Sequence, residues 1–193
     1  MNKNHIIKNK IIKLFIICFI IGYILAFLFY YSLDKIELKS LISAVKNSNI
    51  LFKTSNNIIN HLKILSVTVL LTLIFVGVPI FIGLIISEGF KICLRLIILF
   101  KIYKLKGIIY GLIYTLINNG IYLLILIFIF KKIIKIAKAL YLYKIKKENI
   151  NFNYLFNNYI RIITLIIFTL IFDTLIYLYG NYLLNYIIKL CQL

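Results

Sequence analysis

The residues of this chain that could do chemistry are few, and the two of greatest interest are ionisable side chains inside apolar sequence. Asp173 is the only charge in the apolar run 162–188, and Arg95 lies within the shorter apolar run 90–103. Ionisable residues in transmembrane segments are candidates for ion or substrate pathways, because burying them in a bilayer is costly. The pattern makes Arg95 and Asp173 a candidate intramembrane charge pair, of the kind that a small transporter or channel-like protein would use.

No side chains have the spacing of a catalytic or metal site. His5 and His61 lie outside the apolar runs and far apart, and the sequence contains no metalloprotease, serine-hydrolase or phosphate-loop motif. The cysteines are also widely separated, at Cys18, Cys93 and Cys191. Asp173 is the only acidic residue well inside a predicted span, which argues against an aspartyl dyad within one chain. We therefore expect no enzyme, no metal site and no cofactor.

The elements that must position these residues are membrane helices. Of the 193 residues, 63% are hydrophobic and 15% are charged, whereas soluble domains have roughly 45–50% apolar and 25% charged residues. A soluble fold of this size could not bury so much apolar surface, but a bilayer is itself an apolar solvent. The sequence predicts an all-α, polytopic integral membrane protein with about five transmembrane helices, forming a single membrane domain over residues 1–193.

The predicted spans follow from the apolar runs, since a helical span needs about 20 residues. They cover residues 14–33, 64–86, 90–105, 107–130 and 162–188. The span 90–105 is the weakest, because a mid-span Arg such as Arg95 costs roughly 2.5–3.5 kcal/mol. Alternatives for this segment are a re-entrant piece or an interfacial helix.

The charges between the spans predict the orientation. The chain has 23 Lys and Arg against 5 Asp and Glu, and the lysines cluster at the ends of apolar runs. Because basic loops stay in the cytoplasm, the N-terminus and the basic segment 131–158 are predicted to be cytoplasmic. The outer loop 34–63, the turn 101–107 and the C-terminus are then outside. We expect the lysines to bind anionic lipid headgroups at about 1 kcal/mol each, and no basic, polar domain remains for nucleic acid.

The outer loop contains one amphipathic pattern. Leu38, Leu41, Ile42 and Val45 recur at i, i+3, i+4 and i+7, which predicts a short helix with one apolar face. We expect this helix to pack against the spans of this protein, with the membrane surface or a partner as alternatives.

Two features predict irregularities within the spans. Pro79, the only proline, should kink or end the helix near it, because proline removes a backbone donor. Asn118 and Asn119 lie at the middle of the span 107–130, where they could cap a break in the helix or hydrogen-bond to neighbouring helices.

The order of these features resembles the stage II sporulation protein M family of small, five-span membrane proteins. The shared features are a basic N-terminus with an anchor helix, a polar outer loop, Gly-x-Pro near the end of a long span, a later glycine, a central amide pair and one acidic residue in the last span. The residues that carry them are Gly77, Pro79, Gly89, Asn118, Asn119 and Asp173. One departure is Ile117, which stands where the family tends to have a proline before the amide.

This resemblance implies a non-catalytic scaffold in the mother-cell membrane at the sporulation septum. Members of the family anchor two cell-wall hydrolases, stage II sporulation proteins D and P. The complex remodels septal peptidoglycan during forespore engulfment. By the same resemblance, the outer loop 34–63, the turn 101–107 and the C-terminal end would recruit these partners. The sequence leaves open whether the chain forms homo-oligomers.

Overall fold

The computed structural model describes residues 3–47, 62, 65–67, 69–70, 77–147 and 152–191, and these are almost entirely helical. The helices with defined bounds in this part of the chain are α1 (Lys3–Ser32), α2 (Lys35–Asn47), α3 (Gly77–Lys146) and α4 (Phe152–Cys191). Of these, α1, α3 and α4 are long and apolar enough to cross a membrane. The predicted all-α class is therefore confirmed for the described residues. The predicted count of about five spans is not confirmed.

The helix α3 is a hairpin of two antiparallel limbs. Lys104 has φ 54° and ψ −133°, which lies outside the helical region and divides α3 into limb A (77–103) and limb B (105–146). The limbs pack along their length, since the rings of Phe81 and Phe130 stack with centroids 5.4 Å apart. This contact joins residues far apart in sequence and brings the two ends of α3 together.

Two glycines bring the limbs into direct contact beside the turn. Gly107 lies against the backbone carbonyl of Leu99, and a Cβ added to Gly111 would fall 2.7 Å from a side-chain carbon of Leu96. Small residues at helix crossings let membrane helices approach closely. The break lies within 101–107, where the sequence analysis places a turn.

Limb A has no interruption where the predicted spans 64–86 and 90–105 are separated, because the helix runs unbroken through residues 87–89. Pro79 lies near the N-terminal end of limb A as described, and residues 71–76 before it lie outside the described residues, so the kink predicted there stays a prediction. Within the described length of α3, the sharp break is at Lys104. The helix also continues through Asn118 and Asn119, so the predicted break at the amide pair is not found.

The helix α1 packs against limb A and runs parallel to it. Near its start, the ring of Phe15 lies 6.5 Å from that of Phe130, at the level of Phe81. Near its end, Tyr30 and Tyr31 share the lining of a pocket with Lys101 of limb A. The buried residues follow one helical face: Ile11, Phe15, Cys18, Gly22 and Ala26. The other faces expose Ile, Leu and Phe side chains, as a lipid-facing surface does.

The helix α4 packs antiparallel against limb B. Lys132 on limb B contacts Asn158 near the start of α4, and Tyr122 further back on limb B lies in the electrostatic field of Asp173. The buried stripe of α4 that faces limb B consists of Leu155, Asn158, Ile162, Thr169, Asp173 and Gly180. Asp173 therefore points into the bundle and not toward lipid.

The short helix α2 stands apart from the other described helices. At its start the Asp34 N–H donates to the Glu37 carboxylate at 3.3 Å, which is one of the two bonds of a capping box. The Leu38 N–H donates to the Asp34 carbonyl at 2.9 Å, as the first helical hydrogen bond. Ile36 is 82% exposed, whereas Leu38, Leu41 and Ile42 of the apolar stripe are half-buried. Among the described residues, α2 makes almost no contact with α1, α3 or α4. Much of the predicted span 64–86 lies outside the described residues, so the packing of α2 on the spans stays a prediction.

Candidate functional site

Buried polar side chains from limb A, limb B and α4 meet at one level of the bundle. We call this set the polar layer: Glu88, Asn118, Asn119, Tyr122 and Asp173. Each of these residues is at most 6% exposed. The carboxylates of Glu88 and Asp173 both act electrostatically on the Tyr122 hydroxyl, which places the three side chains near one another. The polar layer is thus a shared interface of three helical segments.

Helical spacing explains why these polar side chains point inward. Ile85, Glu88 and Ile92 are separated by three and four residues, so they share one face of limb A, and all three are buried. On limb B, Asn118 and Tyr122 are separated by four residues on the buried face. The apolar neighbours on each stripe bury the face, and the polar residues are carried inward with them.

Glu88 is held by an ion pair with Lys91. The Lys91 Nζ donates to the Glu88 Oε1 at 2.8 Å, and the Lys91 side chain is 51% exposed whereas that of Glu88 is 4% exposed. The pair therefore has one buried and one accessible end. A buried carboxylate without such a partner would be strongly destabilising, so Lys91 makes the burial of Glu88 tolerable.

The two amides of the polar layer differ in their hydrogen bonds. The Asn118 Nδ2 donates to the Tyr114 carbonyl at 3.2 Å, one turn earlier on limb B. The Asn119 Oδ1 is buried and has no hydrogen-bond partner among the described residues. Asn119 therefore brings an unsatisfied acceptor oxygen to the same helix that carries Tyr122.

Arg95 lies at a different level of the bundle, closer to the turn at Lys104. Its guanidinium carbon sits 4.6 Å from the centroid of the Tyr114 ring, a cation–π arrangement, and its Nη1 is buried without a hydrogen-bond partner in the described part of the chain. Tyr114 and Tyr122 are eight residues apart, which is about 12 Å along a helix. Arg95 and Asp173 thus have different neighbours, and their direct pairing stays a prediction.

The glycine and proline positions that carry the family resemblance lie near the start of described α3 and at its crossing with α1. Gly77 and Pro79 lie at the N-terminal end of the described residues 77–147. Gly89 lies at the crossing of limb A with α1, where an added Cβ would fall 2.5 Å from the Phe19 carbonyl oxygen. None of these three residues belongs to the polar layer.

Glu88 is the functional candidate that the sequence analysis misses. It falls between the predicted spans 64–86 and 90–105, and so it is not counted as an acidic residue inside a span. Glu88 is as buried within the bundle as Asp173, so Asp173 is not the only buried acidic side chain. Two signals could have found it, namely its helical spacing with Ile85 and Ile92 and the Lys91 partner one turn later.

The polar layer offers two carboxylates, a phenol and two amide groups, and the Lys91 ammonium lies beside it. Such groups can hold helices together, share a proton or coordinate a hard monovalent cation. Among the described residues, no three His, Cys, Asp or Glu side chains are grouped so that they could hold a metal ion. The chemistry open to the layer is therefore that of charge and hydrogen bonding.

Comparisons with known proteins add no relative. No protein-family model matches the chain, and neither the curated proteins nor the solved structures contain a match to it.

Proposed function

We propose that this chain is a non-catalytic membrane scaffold that anchors and recruits peptidoglycan-degrading enzymes at the sporulation septum during forespore engulfment. The observation that carries the proposal is the position of α2, an amphipathic helix that makes almost no contact with α1, α3 or α4 in the described part of the chain. It follows directly on α1, at the end of the bundle where limb A turns into limb B. A helix in that place is accessible to a partner, as recruitment requires.

The bundle itself supports an anchoring role. Gly22 and Gly89 bring α1 and limb A together, and Gly107 and Gly111 bring limb A and limb B together. Close glycine crossings stabilise membrane helix bundles. A packed bundle of this kind is what a scaffold for membrane-bound partners needs.

The directions of the helices support a five-span arrangement with a cytoplasmic N-terminus and an outside C-terminus. Because α1 and limb A run parallel, a five-span arrangement needs one further crossing between them, which the apolar run 64–86 predicts. Limb A, limb B and α4 then alternate in direction. In this arrangement the basic segment 131–158 is cytoplasmic, and both α2 and the turn at Lys104 face outward in the mother-cell membrane.

The partners we propose are stage II sporulation proteins D and P, on the resemblance described above. The test is co-purification of these hydrolases with the full chain and with a variant in which residues 35–47 are replaced by a Gly-Ser linker. We expect the linker to reduce recovery of both partners strongly. Unchanged recovery would exclude α2 as the recruiting element.

A matched pair of smaller changes separates the apolar face of α2 from its charge. Replacing Leu38 and Leu41 together by Ser removes the apolar stripe, whereas Lys39→Gln changes only an exposed side chain. The scaffold proposal predicts loss of partner recovery for the first change and little effect for the second. Equal effects of both changes would indicate a charge-driven contact instead.

A second candidate function is a small cation or proton carrier, and the polar layer favours it. Glu88 and Asp173 place two carboxylates around Tyr122 inside apolar helices, and intramembrane acids of this kind are used in proton relays. Reconstituted protein in liposomes with an internal pH dye would show proton flux that Asp173→Asn abolishes. Asp34→Asn, which changes the exposed cap of α2, is the matched control. Absence of flux in the wild-type protein would exclude this candidate.

A further inference from the structure

A polar contact joins limb B to α4 at the end of the bundle opposite the turn. The Lys132 Nζ donates to the Asn158 Oδ1 at 3.2 Å, across 26 residues of sequence. Asn158 is 5% exposed, and its Nδ2 donates to the Tyr154 carbonyl at 2.8 Å. Both ends of the Asn158 amide are therefore engaged, and the amide fixes the Lys132 ammonium at the seam between the two helices.

Three more cations surround this ammonium. Burial, followed by the charges of Arg161, Lys135 and Lys131, lowers the pKa of Lys132. The carboxylates that the structure describes lie elsewhere, at α2 or in the polar layer: Asp34, Glu37, Glu88 and Asp173. Four cationic side chains therefore lie close together at this seam, which makes it attractive to an anion.

The cations lie at the depth where both helices leave their apolar stretches. Lys131 directly follows the uncharged run 107–130, and Arg161 directly precedes the apolar run 162–188. In a bilayer, that depth is the level of the lipid phosphates. Like charges at i, i+4 such as Lys131 and Lys135 weaken a helix, so helix stability does not account for this grouping.

We propose that the basic seam, formed by Lys131, Lys132 and Lys135 of limb B with Arg161 of α4, is a discrete binding site for the phosphodiester of one anionic phospholipid. The lysines provide point charges, and the guanidinium of Arg161 provides a planar fork that matches two phosphate oxygens. The acyl chains would run along the exposed apolar side of α4, where Ile160 and Ile163 are exposed. Such a lipid would bridge limb B and α4, and this role does not depend on the scaffold function.

A discrete site differs from a diffuse basic surface in how it responds to single charges. A surface attracts anionic lipid through all of its lysines, at about 1 kcal/mol for each, so every neutralisation should cost the same. In a discrete site, only the neutralisation of a residue of the basic seam should weaken lipid binding. Lys138 provides the matched control, because it lies on the same stretch of limb B and is exposed, and its charge is not among those that act on Lys132.

The experiment is native mass spectrometry of the full chain in detergent, titrated with phosphatidylglycerol and with phosphatidylcholine of the same acyl chains. We expect one phosphatidylglycerol to bind at a concentration at least tenfold lower than phosphatidylcholine. Lys132→Gln and Arg161→Gln should each weaken this binding about fivefold, the equivalent of one surface charge. Lys138→Gln should leave it unchanged, and Arg161→Lys should retain more binding than Arg161→Gln.

Three outcomes would overturn the proposal. Equal losses for Lys138→Gln and Arg161→Gln would show a diffuse surface. Displacement of the lipid by millimolar inorganic phosphate would show that the seam takes a free anion. Equal binding of the two lipids would show that the negative charge is not recognised. Since Lys132→Gln keeps an amide donor for Asn158 and Lys132→Arg keeps the charge, comparing these two variants separates loss of lipid from loss of fold.

Discussion

A Cβ added to Gly22 of α1 would lie 3.1 Å from the Cα of Gly89 of limb A, so the two helices meet backbone to backbone at this crossing. The same Cβ would lie 2.9 Å from the backbone nitrogen of Phe90. Neither neighbour is a flexible side chain that could move away. The crossing fixes how α1 sits on the hairpin, and it depends on having no side chain at either position.

Gly22→Ala and Gly89→Ala should therefore each destabilise the protein, by about 1–3 kcal/mol, because extra methyl groups in a packed core force backbone shifts. Gly83→Ala and Gly120→Ala are the controls, since a Cβ at those two helical positions meets nothing within 4 Å. Thermal unfolding in one detergent measures all four. If the Gly83 and Gly22 variants lose stability equally, the close crossing is not what the glycines provide.

The ion pair of Glu88 with Lys91 should behave asymmetrically. Lys91→Leu leaves a buried carboxylate unpaired, so we expect a loss of about 3 kcal/mol, whereas Glu88→Gln leaves only a half-exposed ammonium and should cost much less. The double change Glu88→Gln with Lys91→Leu should recover most of the loss. Lys101→Leu, an exposed lysine on the same limb, controls for the removal of charge. A Glu88→Gln loss as large as that of Lys91→Leu would contradict this account.

Lys104 provides a test of the hairpin. Its φ of 54° with ψ of −133° is a conformation that glycine adopts readily and other residues adopt at a cost of about 1–3 kcal/mol. Lys104→Gly should therefore stabilise the fold or leave it unchanged. Lys106→Gly, two residues on in helical conformation, should cost about 1 kcal/mol. The same unfolding assay measures both, and a larger loss for Lys104→Gly would mean that the chain does not turn there.

A substitution of Asn119 tests whether the polar layer serves only to hold the helices together. Its Oδ1 is buried and unsatisfied within the described residues, and an unsatisfied buried acceptor costs about 1–3 kcal/mol. Asn119→Leu should therefore raise thermal stability if the layer only holds helices together, whereas Asn118→Leu, which breaks a hydrogen bond, should not. A marked loss of stability for Asn119→Leu would mean that its oxygen has a partner after all.

The sequence predicts the class of the fold well, because composition and run length act over many residues at once. The helix α1, limb B and α4 contain the uncharged or nearly uncharged runs that predict spans, and the hairpin turn falls where Lys101, Lys104, Lys106 and Gly107 interrupt the apolar pattern. These signals are additive, so a few contrary residues do not hide them.

The burial and contacts of single residues are harder to predict, because they depend on neighbours distant in sequence. The apolar pattern places Glu88 in a loop between two predicted spans. In the structure it lies on the buried face of limb A, where it pairs with Lys91. Pro79 predicts a kink or helix end near it, and because residues 71–76 lie outside the described part of the chain, this stays a prediction. The amphipathic pattern of α2 correctly predicts a helix, but an apolar stripe does not say which surface it meets.

The scaffold proposal is tested most directly in a spore-forming host by deleting the gene for this chain and imaging the cells with a membrane dye through sporulation. The deletion strain is complemented either with the wild-type chain or with the variant in which a linker replaces residues 35–47. We predict that the deletion and linker strains divide asymmetrically and then stall with a flat or bulging septum, and that the wild-type chain restores engulfment. Normal engulfment and mature spores in the deletion strain would contradict the proposal.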